Sequence, residues 1–245
     1  MPDDAATTTV DLWVADASAL DPGLLARLAT LLTAEETARG ARFVRAADRA
    51  AFILTRALIR TRLSLYGPTA PADWRFVSNA HQCPFVAADQ AGVPWLSFNV
   101  SHTEGLVALA VTRGHRVGVD VESVARTVLE AVPERHFAPD EVRDLRARPA
   151  ADQPRLFFDY WTLKEAYIKA RGMGLALPLD QFAFNLHGDA PPTIRFAPGF
   201  DDDPARWQFR QLWPTATHRL ALAVERDGAD LPVALRHVAP ATLVP

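Results

Sequence analysis

The segment FDYWTLKEAYIKARGMG, residues 158–174, predicts a helix and contains both lysines of the chain. Lys164 and Lys169 stand among 26 basic residues, and every other one is an arginine. Gly172 and Gly174 predict the C-terminal end of the helix. One side of the helix is apolar and predicts a stripe that faces a core: Leu163, Ala166, Tyr167 and Ala170.

The opposite side of this helix carries Glu165 and Lys169 one turn apart. One interpretation is an ordinary surface ion pair, which contributes only about 0.2–0.5 kcal/mol. Arginine would serve such a pair equally well in a chain that otherwise uses arginine throughout. Lysine differs because it is a compact point charge that can give up a proton, so the second interpretation is a chemical role.

Two further carboxylates lie in VGVDVE, residues 117–122. The alternation predicts a strand with Asp120 and Glu122 on one face and valines on the other. Two carboxylates on one face repel each other unless a cation lies between them. One interpretation is an acidic face in contact with solvent. The other adds Glu165 as a third carboxylate and predicts a Mg²⁺ site, because hard oxygen ligands suit this ion.

Residues 98–105, FNVSHTEG, predict a strand that ends at His102 beside a tight turn. Functional side chains are commonly presented at strand ends, although a lone histidine is more often a structural hydrogen bonder. Before this strand lies a set of arginines that indicates either a solvated helix face or a site for a ligand with several phosphates: Arg39, Arg42, Arg49, Arg56 and Arg60.

The remaining pattern predicts an α/β (α+β) fold. Thr33 and Glu36 predict a capping box, and Asp48 predicts the N-cap of a longer helix. Three strands up to residue 122 predict a meander, and a second group of strands follows residue 180. The similar segments LVALAV at 106–111 and RLALAV at 219–224 indicate two related halves, 1–116 and 117–245. We therefore expect a pseudo-dimer, each half a small, mainly antiparallel sheet packed with helix.

Composition excludes several classes of protein. With 49% hydrophobic and 22% charged residues the chain can bury a large core. A net charge of −3 argues against a general nucleic-acid binder. One cysteine cannot form an internal disulfide, and the acidic start MPDDAATTT lacks a basic-then-apolar leader. Since no apolar run approaches membrane-spanning length, a soluble cytoplasmic protein is predicted.

The order FNVSH, VGVDVE and WTLKEAYIKARGMGL resembles the Sfp-type 4′-phosphopantetheinyl transferases, the large, pseudo-dimeric class. The resemblance covers nearly the whole chain and is sharpest at residues 98–122 and 158–180. It implies transfer of phosphopantetheine from coenzyme A (CoA) to a serine of an apo acyl, peptidyl or aryl carrier protein, with release of adenosine 3′,5′-bisphosphate. It also implies a monomer with its site in the cleft between the halves.

The resemblance implies roles for individual residues. Asp120, Glu122 and Glu165 would bind Mg²⁺, and Glu165 is also the candidate base for the serine hydroxyl. Lys164 and Lys169 would bind the pyrophosphate, with Lys169 neutralising the leaving oxygen; Asp120, Glu165 and Lys169 are thus the predicted catalytic residues. The predicted contacts to the rest of CoA are Ser101, His102, Arg39, Arg42, Arg49 and Cys83.

Two departures from the family pattern concern the nucleotide end of CoA. Where relatives often carry Gly-Lys-Pro, this chain has Gln82, Cys83 and Pro84, and Glu36 occupies one place where a relative uses lysine. Two alternatives to the transferase stay open. One is a non-catalytic relative that only binds CoA or carrier proteins. The other is a different Mg²⁺-dependent phosphotransferase or phosphohydrolase that uses the same acids.

Overall fold

The computed structural model describes residues 9–18, 20–81, 83–90, 93, 95–127, 131–186, 188 and 190–244. Gln82 lies outside the described residues. The helices are α1 Pro22–Ala29, α2 Ala34–Gly40, α3 Ala46–Leu63, α4 Val132–His136, α5 Pro139–Ala147 and α6 Gln153–Arg171. The strands are β1 Val10–Asp16, β2 Phe76–Ser78, β3 Pro84–Val86, β4 Leu96–Thr103, β5 Leu106–Arg113, β6 Val117–Ser123, β7 Phe182–Asn185, β8 Thr193–Phe196, β9 Trp207–Thr215, β10 His218–Glu225 and β11 Val233–Val238.

Local signals set most helix ends. The capping box at α2 is confirmed, because the backbone N–H of Glu36 donates to the Thr33 hydroxyl and the Glu36 carboxylate accepts from the Thr33 N–H. Gly172 ends α6 with a φ of +66°, a left-handed conformation that glycine adopts without strain. The predicted N-cap at Asp48 is wrong: the N-cap of α3 is Arg45, and Asp48 lies in the first turn. A carboxylate there still interacts favourably with the helix dipole.

Two sheets repeat one topology. The first has the order β11-β1-β5-β4 and the second the order β6-β10-β9, so β1-β5-β4 corresponds to β6-β10-β9. Helix α3 packs on the first sheet and α6 on the second. The predicted pseudo-dimer of two mixed halves is confirmed. The predicted meander is wrong at its third strand, because β6 pairs with β10 and not with β5.

The last strand crosses back between the halves. β11 pairs in parallel with β1, and thus extends the first sheet rather than the second group of strands in which the sequence predicted it. The predicted division after residue 116 falls in the turn between β5 and β6. That division stays a prediction. Among the helices that the structure describes, none is long and apolar enough to cross a membrane.

Strand β6 is sandwiched between the first sheet and α6. Val117, Val119 and Val121 belong to a core cluster shared with β1, β5 and β10. The opposite face meets α6 so closely that a Cβ on Gly118 would lie 2.0 Å from the Ala166 carbonyl oxygen. This position therefore requires glycine, and the close approach brings the acidic face of β6 against the helix that carries Glu165 and Lys169.

Candidate active site

A polar seam joins the two halves where β4 runs beside β6. The strands belong to different sheets, and side chains of β4 provide hydrogen bonds between them. The Ser101 hydroxyl donates to Asp120 Oδ1 at 2.9 Å, and the Val119 N–H donates to Asn99 Oδ1 at 3.0 Å. The contributing residues alternate along one face of β4: Asn99, Ser101 and Thr103. This period-two polar pattern was readable from the sequence, but Asn99 and Thr103 were not singled out.

Lys169 reaches into this seam from α6. Its ammonium donates to Asp120 Oδ1 at 2.5 Å, to Ser101 Oγ at 3.0 Å and to the Val119 carbonyl at 3.3 Å. Among the described residues Lys169 forms its ion pair with Asp120 and not with Glu165. The interpretation as a surface pair within one helix is therefore wrong. Three predicted site residues therefore contact one another: Ser101 on β4, Asp120 on β6 and Lys169 on α6.

Glu165 lies one helical turn before Lys169, beside the same acids. Burial, and then the nearby Asp120 carboxylate, raise the pKa of Glu165 to about 7, while Lys169 opposes the shift. Its side chain forms no hydrogen bond with the described residues. A carboxyl group with this pKa exchanges its proton near neutral pH, as a general base requires.

Glu122 is the outermost of the three acids. It accepts hydrogen bonds from Arg126 and from the Thr103 hydroxyl, the latter at 3.3 Å. Burial and the Asp120 charge raise its pKa, and Arg126 counteracts them. Sequence reasoning missed Arg126, although its position four residues after Glu122 was a visible signal.

The acids fit Mg²⁺ in their chemistry. Asp120 Oδ2 is buried and has no hydrogen-bond partner among the described residues. Within the same part of the chain, no three His, Cys, Asp or Glu side chains lie close enough together to hold a metal ion as a set. Mg²⁺ does not require such a set, because it usually keeps several waters and binds one or two carboxylates plus phosphate oxygens. The predicted triad of ligands stays a prediction.

His102 opens onto a cleft of about 530 Å³ that we call the His102 cleft. Burial, and then the Lys169 charge, lower the pKa of His102, which favours the neutral ring. Residues from both halves line the cleft, among them Ser18, Arg45, Asp48, His102, Thr103 and Arg126. Its position between the halves suits a ligand that reaches the seam.

Cys83 lines a second pocket, of about 300 Å³, together with Phe98 and Lys169. Asn79, which sequence reasoning also missed, holds this pocket together. Its side-chain amide donates to the Gly172 carbonyl at 2.7 Å, and its oxygen accepts the Cys83 N–H at 3.0 Å. The loop with Cys83 is thereby fixed to the end of α6.

The predicted phosphate-binding arginines separate in the structure. Arg39 and Arg56 line a cleft of about 500 Å³ next to the β2–β3 hairpin. Arg49 lines a different groove, beside α1, and Arg42 is exposed after α2. Arg60 is buried and pairs with Glu36 at 2.8 Å, so it is structural.

Lys164 does not reach the seam. Its side chain is 0% exposed, and its ammonium contacts the Glu141 carboxylate and the carbonyls of Leu179 and Phe182, each at 2.7 Å. All three N–H groups are thus used inside the second half. In this arrangement the buried Lys164 lies away from the seam and has no N–H left for a pyrophosphate, so that role stays a prediction.

Replacing Lys164 with methionine should lower the free energy of unfolding by about 3–5 kcal/mol, because Glu141 would remain buried without its counter-charge. Denaturant unfolding measures the loss. The double variant Lys164→Met/Glu141→Gln should recover part of it, since no buried charge remains. If the single variant were as stable as wild type, the Lys164–Glu141 ion pair would not form in solution.

Comparison with known proteins identifies the family. A family model described as "4′-phosphopantetheinyl transferase superfamily" matches residues 116–224, and one described as "4′-phosphopantetheinyl transferase, N-terminal" matches residues 22–114. The 4′-phosphopantetheinyl transferase HetI of Nostoc sp. is 32% identical over 82% of this chain and 81% of its own. The transferase ffp of Bacillus subtilis is 31% identical over 69% of this chain and 72% of its own.

Two further proteins are similar to this chain. The 4′-phosphopantetheinyl transferase Sfp of Bacillus subtilis strain 168 is 29% identical over 69% of this chain and 72% of its own. The crystal structure of Thermotoga maritima holo-[acyl-carrier-protein] synthase overlaps 45% of this chain and 62% of its own, at 25% identity and a TM-score of 0.36. Because the family models match both halves and relatives align over more than two thirds of their length, the chain belongs to the 4′-phosphopantetheinyl transferase superfamily.

Proposed function

We propose that this enzyme transfers 4′-phosphopantetheine from CoA to a serine of an apo acyl, peptidyl or aryl carrier protein and releases adenosine 3′,5′-bisphosphate. The observation that carries the proposal is the contact of Lys169 with Asp120 and Ser101 at the seam between the halves. The site combines the Lys169 ammonium, the Asp120 Oδ2 atom, which has no hydrogen-bond partner among the described residues, and Glu165, whose pKa is raised. This combination suits transfer of a phosphate group.

The proposed reaction is one displacement at phosphorus. The serine oxygen bonds to the β-phosphorus of CoA while the bond from that phosphorus to the bridging oxygen breaks. Glu165 takes the serine proton, directly or through a water, and Lys169 neutralises or protonates the leaving oxygen. A bound Mg²⁺ would neutralise charge on the pyrophosphate, and Asp120 with Glu122 or Glu165 would hold it.

We assign the rest of CoA by position. Ser101 and His102 would contact the phosphates, because they adjoin Lys169. Arg39 would pair with the nucleotide phosphate, and the pocket beside Cys83 adjoins the same β2–β3 hairpin. Since both halves of one chain build the cleft, we also propose that the enzyme acts as a monomer, in the cytoplasm where CoA is available.

Intact-mass measurement tests the proposal. The purified protein is incubated with CoA, Mg²⁺ and a panel of apo carrier proteins from fatty acid, polyketide, nonribosomal peptide and siderophore synthesis. At least one carrier should gain the mass of one phosphopantetheine group. CoA binding without a mass change on any carrier would instead identify a non-catalytic relative, and hydrolysis of CoA without an acceptor would identify a different phosphotransfer enzyme.

Replacing Lys169 with arginine should lower turnover about tenfold or more, roughly 1.4 kcal/mol of transition-state stabilisation. The broader guanidinium does not fit the three contacts of the ammonium and does not donate a proton at neutral pH. CoA affinity should fall less, since the positive charge is kept. Holo-carrier formation and the Kd for CoA are measured together, with Arg210→Lys at a surface pair as control. Wild-type turnover in Lys169→Arg would refute the role at the phosphate.

A further inference from the structure

His218, the first residue of β10, links the second sheet to the turn between β4 and β5. Its side chain is buried. A carbonyl oxygen can only accept a hydrogen bond, so the distance of 2.8 Å between His218 Nε2 and the Glu104 carbonyl oxygen places the ring hydrogen on Nε2. Nδ1 then accepts from the Thr215 hydroxyl at 2.6 Å. The ring therefore bonds to both halves of the molecule, to Glu104 in the first and to Thr215 in the second.

The turn that accepts this hydrogen bond forms one wall of the His102 cleft. Residues 102–105 all line the cleft. Gly105 adopts a φ of +83°, and a Cβ at this position would lie 3.6 Å from His218 Cε1. The ring therefore packs directly behind the turn. Within the first half the turn is held by the Ala17 N–H, which donates to the Gly105 carbonyl at 2.9 Å.

The contact of His218 continues the hydrogen bonds of the seam. The polar residues of β4 bond to β6, and Glu104 follows β4 directly in the chain. In the pairing of β10 with β6, His218 lies opposite Ser123, the last residue of β6. The Ser123 N–H in turn donates to Thr103 Oγ1 at 3.3 Å. The second sheet thus holds the cleft end of β4 at two successive residues, Thr103 and Glu104.

We propose that His218 is a positioning residue, which fixes the β4–β5 turn so that His102 meets the phosphates of CoA. The inference rests on the proposed function, in which His102 contacts those phosphates. A side chain that is already held in its binding position loses less conformational entropy when the ligand binds. Without the Nε2–H donor, the turn would lose its bond to β10, and His102 would be ordered only when CoA binds.

Two substitutions separate the bond to Glu104 from the bond to Thr215. In His218→Gln the amide nitrogen takes the place of Nε2 and can still donate to the Glu104 carbonyl. In His218→Asn the shorter side chain keeps a polar atom near the place of Nδ1 but does not reach Glu104. The Kd for CoA, measured by calorimetry, should rise about tenfold in His218→Asn, the effect of one lost hydrogen bond, and less than about twofold in His218→Gln.

Two further readouts separate positioning from catalysis and from general stability. In the full-length protein without CoA, the backbone amides of residues 103–106 should exchange hydrogen about fivefold faster in His218→Asn than in wild type or His218→Gln. With the carrier accepted in the panel, the KM for CoA should rise in His218→Asn, while kcat at saturating CoA should fall less than about twofold. The contacts of Lys169 with Asp120 and Ser101 do not involve His218, so the chemical step is kept.

The matched control is His237→Asn, the same substitution at an exposed histidine on β11. It should leave the exchange rates and the Kd for CoA at their wild-type values. Thermal unfolding shows whether each variant is folded. If His218→Asn does not fold, Thr215→Val replaces it, because this change removes the hydroxyl that orients the ring and leaves the ring in place. It should raise the Kd for CoA about twofold, with faster exchange at residues 103–106.

The outcomes distinguish this inference from the proposed function. Equal Kd values for CoA in wild type and His218→Asn would overturn the positioning role even if exchange became faster, because His218 would then be only a structural link. A rise in Kd that is as large in His218→Gln as in His218→Asn would also overturn it, since the bond to Glu104 would not be the cause. If wild type binds no CoA, the proposed function and the positioning role fall together.

Discussion

Replacing Asp120 with asparagine should lower the rate of holo-carrier formation about a thousandfold or more, equivalent to roughly 4 kcal/mol of transition-state stabilisation. Asp120 is buried, pairs with Lys169 at 2.5 Å and keeps Oδ2 without a hydrogen-bond partner among the described residues. Asparagine keeps the shape and can still accept the Ser101 hydrogen bond. It removes the negative charge that orients Lys169 and that would hold the metal ion.

The control for this variant is Asp140→Asn, which removes the carboxylate from exposed ion pairs with Arg143 and Arg195. It should turn over at the wild-type rate. Both variants should show the thermal unfolding of a folded protein, so that loss of activity is separated from loss of fold. If Asp120→Asn kept more than about a tenth of the wild-type rate, the charge of Asp120 would not be part of the reaction.

Replacing Glu165 with glutamine should lower turnover about a hundredfold or more and should stabilise the metal-free protein at alkaline pH. The pKa of Glu165 is raised from 4.5 to about 7, first by burial and then by Asp120. A raised carboxyl pKa means that the folded state prefers the protonated form. Stability from this group is therefore full below about pH 4.5 and is lost as the pH rises toward 7.

Thermal unfolding with a chelator present measures this effect. The Tm of Glu165→Gln should exceed that of wild type at pH 8, since glutamine carries no charge, and the difference should shrink as the pH falls toward 4.5. Loss of turnover together with a gain in Tm would mark Glu165 as a functional group kept at a cost to stability. A lower Tm at pH 8 would contradict the raised pKa.

Local sequence signals predicted the parts of the fold that depend on neighbours in the chain. The Thr33–Glu36 capping box, the end of α6 at Gly172 and the strand character of β4, β5 and β6 belong to this class. Non-local pairing was not predictable in the same way. The strand pattern of β6 does not distinguish β5 from β10 as its neighbour, and that of β11 does not point to β1.

The site shows the same division. Alternation along VGVDVE placed Asp120 and Glu122 on one face, and Gly118 explains how α6 comes close enough to that face. The scarcity of lysine indicated a chemical role for both Lys164 and Lys169, but only Lys169 reaches the seam. The partner that buries Lys164 is Glu141, on another helix, and no local pattern around either residue indicates that contact.

The most direct test of the active centre is the rate of holo-carrier formation as a function of Mg²⁺ concentration, followed by intact mass in wild type and in Asp120→Asn. The account predicts that wild type converts the carrier with a rate that rises and saturates with Mg²⁺. Asp120→Asn should stay near the background rate throughout, while it still binds CoA. Equal rates and equal Mg²⁺ dependence in the two proteins would contradict the account, which assigns the transfer reaction to Asp120, Glu165 and Lys169 beside the seam.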